Sequence, residues 1–115
     1  MPIIMFSNLK GGVAKTTNAV AVAECLAWRG YRTLVIDADH QCTASELLLG
    51  QLEFEKCDNR GKTLHDLFAE MIGGDDADPI DFGKYVIGKV SDIDGGLKRL
   101  SVIPCSIRIE EFHRN

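Results

Sequence analysis

The chain has 115 residues, of which 45% are hydrophobic and 26% are charged, and its formal net charge at pH 7 is -4. This length holds one small domain, and the composition is that of an ordinary globular protein. No apolar run approaches the ~20 residues that span a bilayer, so we expect a cytoplasmic protein without a signal peptide. The acidic balance argues against this segment as a DNA-contacting surface, because such surfaces neutralise phosphates with lysine and arginine.

The first elements in chain order are a strand, a glycine-rich loop and a helix. Residues 3–6, I-I-M-F, predict the strand, and residues 10–17, K-G-G-V-A-K-T-T, follow as the loop. This order is the context that a phosphate-binding loop requires. We expect the helix to run from about residue 16 to 29 and to end at Gly30, a natural C′ residue. The residues expected to face the sheet are Val20, Ala23, Leu26 and Ala27.

The loop residues have the chemistry that nucleotide phosphates need. Gly11 and Gly12 lack a Cβ, so the backbone can turn successive N–H groups toward phosphate oxygens, and the positive end of the following helix adds to the same field. Lys15 would reach the terminal phosphates, the Thr16 hydroxyl would ligate Mg²⁺, and Thr17 would donate to a more internal phosphate. A plain glycine turn with incidental lysine and threonine is the alternative. The residues expected to bind nucleotide are Gly11, Gly12, Val13, Ala14, Lys15, Thr16 and Thr17.

A second strand is predicted at residues 33–36, T-L-V-I, which read as buried and end in the segment D-A-D-H-Q. Ligands bind beyond the carboxyl ends of strands in open parallel sheets, so Asp37 and Asp39 are expected at the same edge as the phosphate loop. A carboxylate that orients water suits phosphoryl transfer, which depends on positioning and electrostatic stabilisation. Carboxylates at a strand end also cap helices and fill turns, and this is the alternative.

The middle of the chain, residues 51–98, matches no specific motif. Apolar residues at helical spacing predict an amphipathic helix over 63–72, capped by Thr63 and packed in the core. Residues 73–79 read as an acidic turn-rich loop with a solvated Asp cluster. Residues 85–90 fit a short strand or a helix.

The cysteines show no C-x-x-C spacing, so four reduced thiols are favoured over two disulfides. A zinc site that uses His40 or His65 is the weaker alternative. The cysteines are Cys25, Cys42, Cys57 and Cys105.

The phosphate loop departs from the common form, because Ala14 and Leu9 stand where that form has glycine. The loop begins instead with Lys10 and a glycine pair, and it resembles the deviant Walker A motif K-G-G-x-x-K-[ST] of the ParA/MinD family of ATPases. The resemblance implies that Lys10 reaches across a nucleotide-sandwich dimer to the partner's phosphates. The segment D-A-D-H-Q resembles the family's D-x-D-x-Q, although histidine stands where proline is usual. Asp37 would then support the Mg²⁺ shell through water, and Asp39 would orient the attacking water.

The resemblance continues through residues 41–45, Q-C-T-A-S, and weakly through residues 100–105, L-S-V-I-P-C, which are similar to the family's third strand. It implies catalytic roles for Lys10, Lys15 and Asp39, with ATP and Mg²⁺ as cofactors. It also implies a P-loop NTPase fold of the α/β class, three-layered with a mostly parallel sheet. The family's domain is longer than this chain, so we expect residues 1–115 to be a truncated, N-terminal portion of a single ParA-type domain. A genuine short protein is the alternative.

Three classes of function stay open. The first is a partition ATPase for plasmids or chromosomes that forms an ATP-dependent homodimer, with nonspecific DNA and a centromere-binding activator protein as partners of the full-length parent. The second is a MinD-like ATPase that cycles on membranes through a C-terminal amphipathic helix. The third is a truncated module that binds phosphate or assembles without turnover. Basic residues or an amphipathic helix later in a longer chain would separate the first two.

The resemblance also predicts how the chain behaves alone. In the family, the strand that carries the Walker B aspartate lies beside the phosphate-loop strand, so a chain ending at Asn115 would leave residues 3–6 with an unpaired edge. Unpaired backbone groups invite pairing with another chain. We therefore expect the 115-residue protein to self-associate and to show negligible ATPase activity.

Overall fold

One four-stranded sheet organises the part of the chain that the structure describes. The computed structural model describes residues 3–7, 13–38, 42–73 and 79–105. The strands are β1 (Ile3–Ser7), β2 (Thr33–Asp37), β3 (Ile87–Gly88) and β4 (Leu100–Ile103). Their order across the sheet is β1-β2-β4-β3; β1, β2 and β4 run parallel, and β3 runs antiparallel to β4.

Helices connect these strands. Within the described residues they are α1 (Val13–Trp28), α2 (Thr43–Leu49), α3 (Gln51–Asn59), α4 (Leu64–Gly73) and two short 3-10 helices, Phe82–Tyr85 and Ile93–Gly95. The predicted α/β class with a mostly parallel sheet is confirmed. Residues 85–90, which fitted a strand or a helix, hold the end of a 3-10 helix and then β3. The predicted acidic loop lies mostly outside the described residues, which resume at Pro79.

Helix α1 ends where the sequence predicted and begins earlier than predicted. Gly30 takes a φ of 102°, and its N–H donates to the carbonyl of Ala27 at 3.1 Å, while the N–H of Tyr31 donates to Leu26 at 3.0 Å. These bonds satisfy the last carbonyls of the helix. The helix already begins at Val13 rather than near Thr16. The predicted inward residues Val20, Ala23 and Ala27 are buried, whereas Leu26 is only partly buried.

The predicted cap at Thr63 is confirmed. Its Oγ1 accepts the N–H of Asp66 at 3.4 Å and donates to the Asp66 carboxylate at 2.7 Å. The same carboxylate accepts the backbone N–H of Thr63 at 3.0 Å. Two N–H groups that a helix start leaves unpaired are thus satisfied reciprocally, in the manner of a capping box.

Helices pack on both sides of the sheet, which gives the predicted three layers. On the side that we call the α1 face, α1 and α2 cover Val35 of β2 and Val102 of β4. On the side that we call the α4 face, α4 lies over Leu34 and Ile36 of β2 and Ile103 of β4. Residues 33–36 are therefore not a uniformly buried strand as predicted, since burial alternates along β2 with the period of two that a pleated strand imposes.

The sheet leaves β1 at its edge, as the sequence predicted, with β2 as its neighbour among the described residues. All four cysteines are free thiols. No cluster of three or more His, Cys, Asp or Glu in the described part of the chain could hold a metal ion, and this includes the surroundings of His65. None of the described helices has the length and apolar character required to cross a membrane.

Candidate functional site

The predicted phosphate loop joins β1 to α1. Strand β1 ends at Ser7 and α1 begins at Val13, so residues 8–12 form the connection and lie outside the described residues, with Lys10, Gly11 and Gly12 among them. Val13 to Thr16 form the first turn of α1. Thr17 follows in the helix with its side chain exposed. The backbone order strand, loop, helix is thus the order that the motif requires.

The carboxyl ends of three parallel strands meet at this edge of the sheet. Ser7 pairs in register with Asp37, the last residue of β2, and Ile36 pairs with Ile103, the last residue of β4. Asp37 therefore lies on the strand next to the one that leads into the loop. This is the edge at which open parallel sheets bind ligands. The second predicted carboxylate, Asp39, lies outside the described residues.

Asp37 is a fully buried carboxyl group that accepts hydrogen bonds from Ser45. Its exposed fraction is 0%, and its Oδ2 accepts the backbone N–H of Ser45 at 2.8 Å and the Ser45 hydroxyl at 2.5 Å. An ionised group loses its hydration when it is buried, so donors of this kind must replace the water. Ser45 lies in the first turn of α2, whose first N–H groups lack partners inside the helix. Asp37 thus also caps α2, the second reading that the sequence left open.

Ser45 connects the carboxylate to a third element. Its Oγ accepts the backbone N–H of Cys105 at 2.9 Å, and both residues are fully buried. The hydroxyl proton is directed at Asp37 because the N–H of Cys105 points at the Oγ lone pair. The side chain of Ser45 therefore links the start of α2, by hydrogen bonds, to the end of β2 and to the residues after β4.

In the sequence, Ser45 is distinguished only as the last residue of the segment Q-C-T-A-S, and this position predicts no contact for it. Its partners lie 8 and 60 residues away along the chain. The only signal in the sequence was the residue type, since a serine near a helix start commonly forms hydrogen bonds with nearby backbone groups.

A second polar cluster lies apart from the site, between α4 and the 3-10 helix at Phe82–Tyr85. The hydroxyl of Tyr85 donates to the carboxylate of Glu70, and Lys84 Nζ lies 3.1 Å from Glu70 Oε2. The hydrogen bond from Tyr85, followed by that from Lys84, lowers the pKa of Glu70. Burial, followed by the bond to Glu70, raises the pKa of Tyr85, and the bond to Glu70 raises the pKa of Lys84. These three residues tie α4 to the turn beside it.

Comparison with known proteins agrees with this geometry. A family model described as AAA domain matches residues 1–114. The chain is 35% identical over 108 residues to the sporulation initiation inhibitor protein Soj of Bacillus subtilis, covering 93% of this chain and 35% of Soj. It is 38% identical over 73 residues to the septum site-determining protein MinD of Escherichia coli, covering 64% of this chain and 24% of MinD. The crystal structure of protein DIP2308 from Corynebacterium diphtheriae superposes with a TM-score of 0.70 at 28% identity, over 97% of this chain and 37% of that one.

The mostly parallel sheet, the order of its elements and the superposed structure define a P-loop fold of the α/β class. With the family match and these relatives, the chain belongs to the ParA/MinD family. It spans about a third of the length of Soj and of the superposed structure.

Proposed function

We propose that this chain is the phosphate-binding part of an ATPase of the ParA type, which binds ATP with Mg²⁺ and hydrolyses its terminal phosphate. The observation that carries the proposal is the joint position of two features at one edge of the sheet. Helix α1 begins directly after the glycine pair, and the buried carboxylate of Asp37 ends the neighbouring strand. A helix start attracts phosphate, and a nearby carboxylate suits the cation that accompanies it.

The residues present fit such a cation. Mg²⁺ prefers hard oxygen ligands and keeps several of its waters, and a threonine hydroxyl at a helix start together with a carboxylate beyond it is a suitable donor set. Thr16 lies in the first turn of α1, and Asp37 closes β2, the strand that pairs with β1 ahead of that helix. When bound, the ion would neutralise charge on the phosphates and orient them. In the proposed site Thr16 would hold it directly and Asp37 through water.

The remaining roles concern the phosphates and the attacking water. Lys15 would bind the terminal phosphates, and the backbone of Gly11, Gly12 and the following residues would cradle them. Asp39 would orient the water that attacks the terminal phosphorus. Lys10 would reach the phosphates of a second copy, which makes an ATP-dependent homodimer part of the proposal.

We further propose that the parent protein serves plasmid or chromosome partition, with nonspecific DNA and a centromere-binding activator protein as its partners. The breadth of the match to Soj, 93% of the chain against 64% for MinD, supports the ParA branch. A MinD-like ATPase that cycles on membranes is the second candidate, supported by the 38% identity to MinD over 73 residues.

The first experiment is a titration of the chain with a fluorescent ATP analogue, mant-ATP, in the presence of Mg²⁺. We expect saturable binding that Lys15→Ala weakens at least about tenfold, because a cation on the terminal phosphates is lost. The matched control is Lys98→Ala, which removes an exposed lysine just before β4. This lysine lies at the amino end of that strand, whereas the proposed site lies at the carboxyl ends. Equal affinities of wild type and Lys15→Ala would contradict the assignment.

Two further variants test the roles of Asp39 and Lys10 separately, in a longer protein that contains this chain. Asp39→Ala should bind ATP and dimerise but hydrolyse poorly, since water positioning is lost while the cradle remains. Lys10→Ala should bind nucleotide as a monomer but form fewer ATP-dependent dimers, as measured by light scattering. Unchanged turnover would remove Asp39 from its role, and normal dimers would make Lys10 a surface lysine.

A further inference from the structure

Ser45 is the one side chain of α2 that the structure places in hydrogen bonds to both neighbouring strand ends, within the residues described. Its N–H and its hydroxyl converge on the same oxygen of Asp37, at 2.8 and 2.5 Å, and its Oγ accepts the N–H of Cys105 at 2.9 Å. All three residues are 0% exposed. Water therefore does not compete for these bonds.

We propose that Ser45 is a positioning residue for the magnesium site, acting through Asp37. The proposal rests on the proposed function, since it concerns the cation that would accompany ATP. A carboxylate is planar, so two donors that fix Oδ2 also fix the direction of the second oxygen.

The bond to Cys105 gives Ser45 more than a capping role. A serine that served only to cap the start of α2 would need only its hydrogen bonds to Asp37. The hydroxyl of Ser45 also accepts a hydrogen bond from the segment after β4. Its rotation is thereby restricted, because the accepting lone pair and the donated proton both have assigned partners. Partners that orient a metal ligand typically change metal affinity about 10–100-fold when they are removed, and we expect the lower end of that range here because Asp37 would bind the ion through water.

The test measures how mant-ATP binding depends on the Mg²⁺ concentration. Ser45→Ala should raise the Mg²⁺ concentration at half-maximal binding about tenfold. Binding of mant-ATP in EDTA should stay the same, because Ser45 does not contact the phosphates in this proposal. In an Asp37→Asn background, Ser45→Ala should add no further shift, since it acts through that carboxylate.

Thr63→Ala is the matched control. Thr63 is also 0% exposed, and its hydroxyl also donates to an aspartate at a helix start, at 2.7 Å from Asp66 Oδ2. It should lose comparable thermal stability and leave the Mg²⁺ dependence unchanged. If Ser45→Ala does not fold, as judged by circular dichroism, Ser45→Cys takes its place and should show a smaller shift in the same direction.

The outcomes separate this inference from the proposed function. No Mg²⁺-dependent binding by the wild type would overturn the proposed function and this inference with it. Normal wild-type binding with an unshifted Ser45→Ala would overturn the inference alone. An equal shift in Thr63→Ala, or an additive shift in the Asp37→Asn background, would also overturn it, because the effect would then be one of general stability.

Discussion

The two faces of the sheet differ in how completely this chain covers them. On the α1 face, Val35, Leu100 and Val102 are 3%, 0% and 0% exposed. On the α4 face, Leu34 and Ile36 are only partly buried, and they line an apolar groove of about 410 Å³ together with Phe68 of α4. Strand β2 thus contributes side chains to a closed core on the α1 face and to an open groove on the α4 face.

The difference follows from how each face is built. Helix α1 directly connects β1 to β2, so a local crossover covers the α1 face. Helix α4 reaches the other face only after α2 and α3, and its 10 residues leave the groove beside them open. Ile4 lies on this face, since it pairs in register with Leu34, and it is 56% exposed. Exposed apolar surface of this kind can still be buried by contact with another segment or another chain.

The largest effect should come from truncating equivalent leucines on the two faces. Leu100→Ala removes a fully buried side chain from the α1 face and should lower the free energy of unfolding by about 3 kcal/mol. Leu34→Ala makes the same chemical change on the α4 face and should cost only about 1 kcal/mol, because its side chain is only partly buried. Urea unfolding of both variants measures the two values. Equal costs would show that the α4 face is as tightly packed as the α1 face.

The second-largest effect is expected on the self-association of the chain. Strand β1 carries no charged residue and lies at the sheet edge beside the α4 face, so the 115-residue chain should form dimers or larger assemblies at micromolar concentrations. Ile4→Lys should shift the protein toward monomer, because lysine on an edge strand opposes pairing.

Sedimentation velocity over a range of concentrations measures this shift. Val22→Lys is the control, since Val22 is 50% exposed on α1, away from the edge strand. A wild-type chain that stays monomeric throughout the micromolar range would contradict the prediction, and an equal effect of both lysines would attribute it to net charge.

The smallest effect concerns pH and the cluster that holds α4 to its neighbouring turn. The lowered pKa of Glu70 means that its contribution to stability is present above the usual pKa of a glutamate and is lost as pH falls through the lowered value. The raised pKa values of Tyr85 and Lys84 matter at alkaline pH. Their contribution to stability is present below the usual pKa values of tyrosine and lysine and is lost as pH rises through the raised pKa values.

Tyr85→Phe tests this cluster, because it removes the hydroxyl that donates to Glu70. Thermal unfolding should become less dependent on pH at both the acid and the alkaline end, by a small amount, since Glu70 and Lys84 are partly exposed and solvent screens them. An unchanged pH profile would show that the cluster contributes nothing measurable to the packing of α4.

Local patterns in the sequence were sufficient for the elements whose signals lie within a few residues. The end of α1 at Gly30 requires a positive φ, and the start of α4 requires a hydroxyl at Thr63 with a carboxylate three residues later. The order strand, loop, helix, strand likewise predicted the class of fold and the edge where Asp37 lies. The roles of Lys10, Asp39 and the two loop glycines stay predictions, since these residues lie outside the described part of the chain.

Tertiary structure alone decided the features that join distant residues. Helices α2 and α3 had no recognised signal, and β3 is a strand of two residues that exists because it pairs with β4. The uneven burial of β2 depends on which helices cover each face. The bonds that fix Ser45 depend on Cys105, 60 residues away, because the end of β4 comes beside α2 only when the sheet is assembled. By itself, the sequence determined which residues can make such contacts; the packing of the sheet determined which of them do.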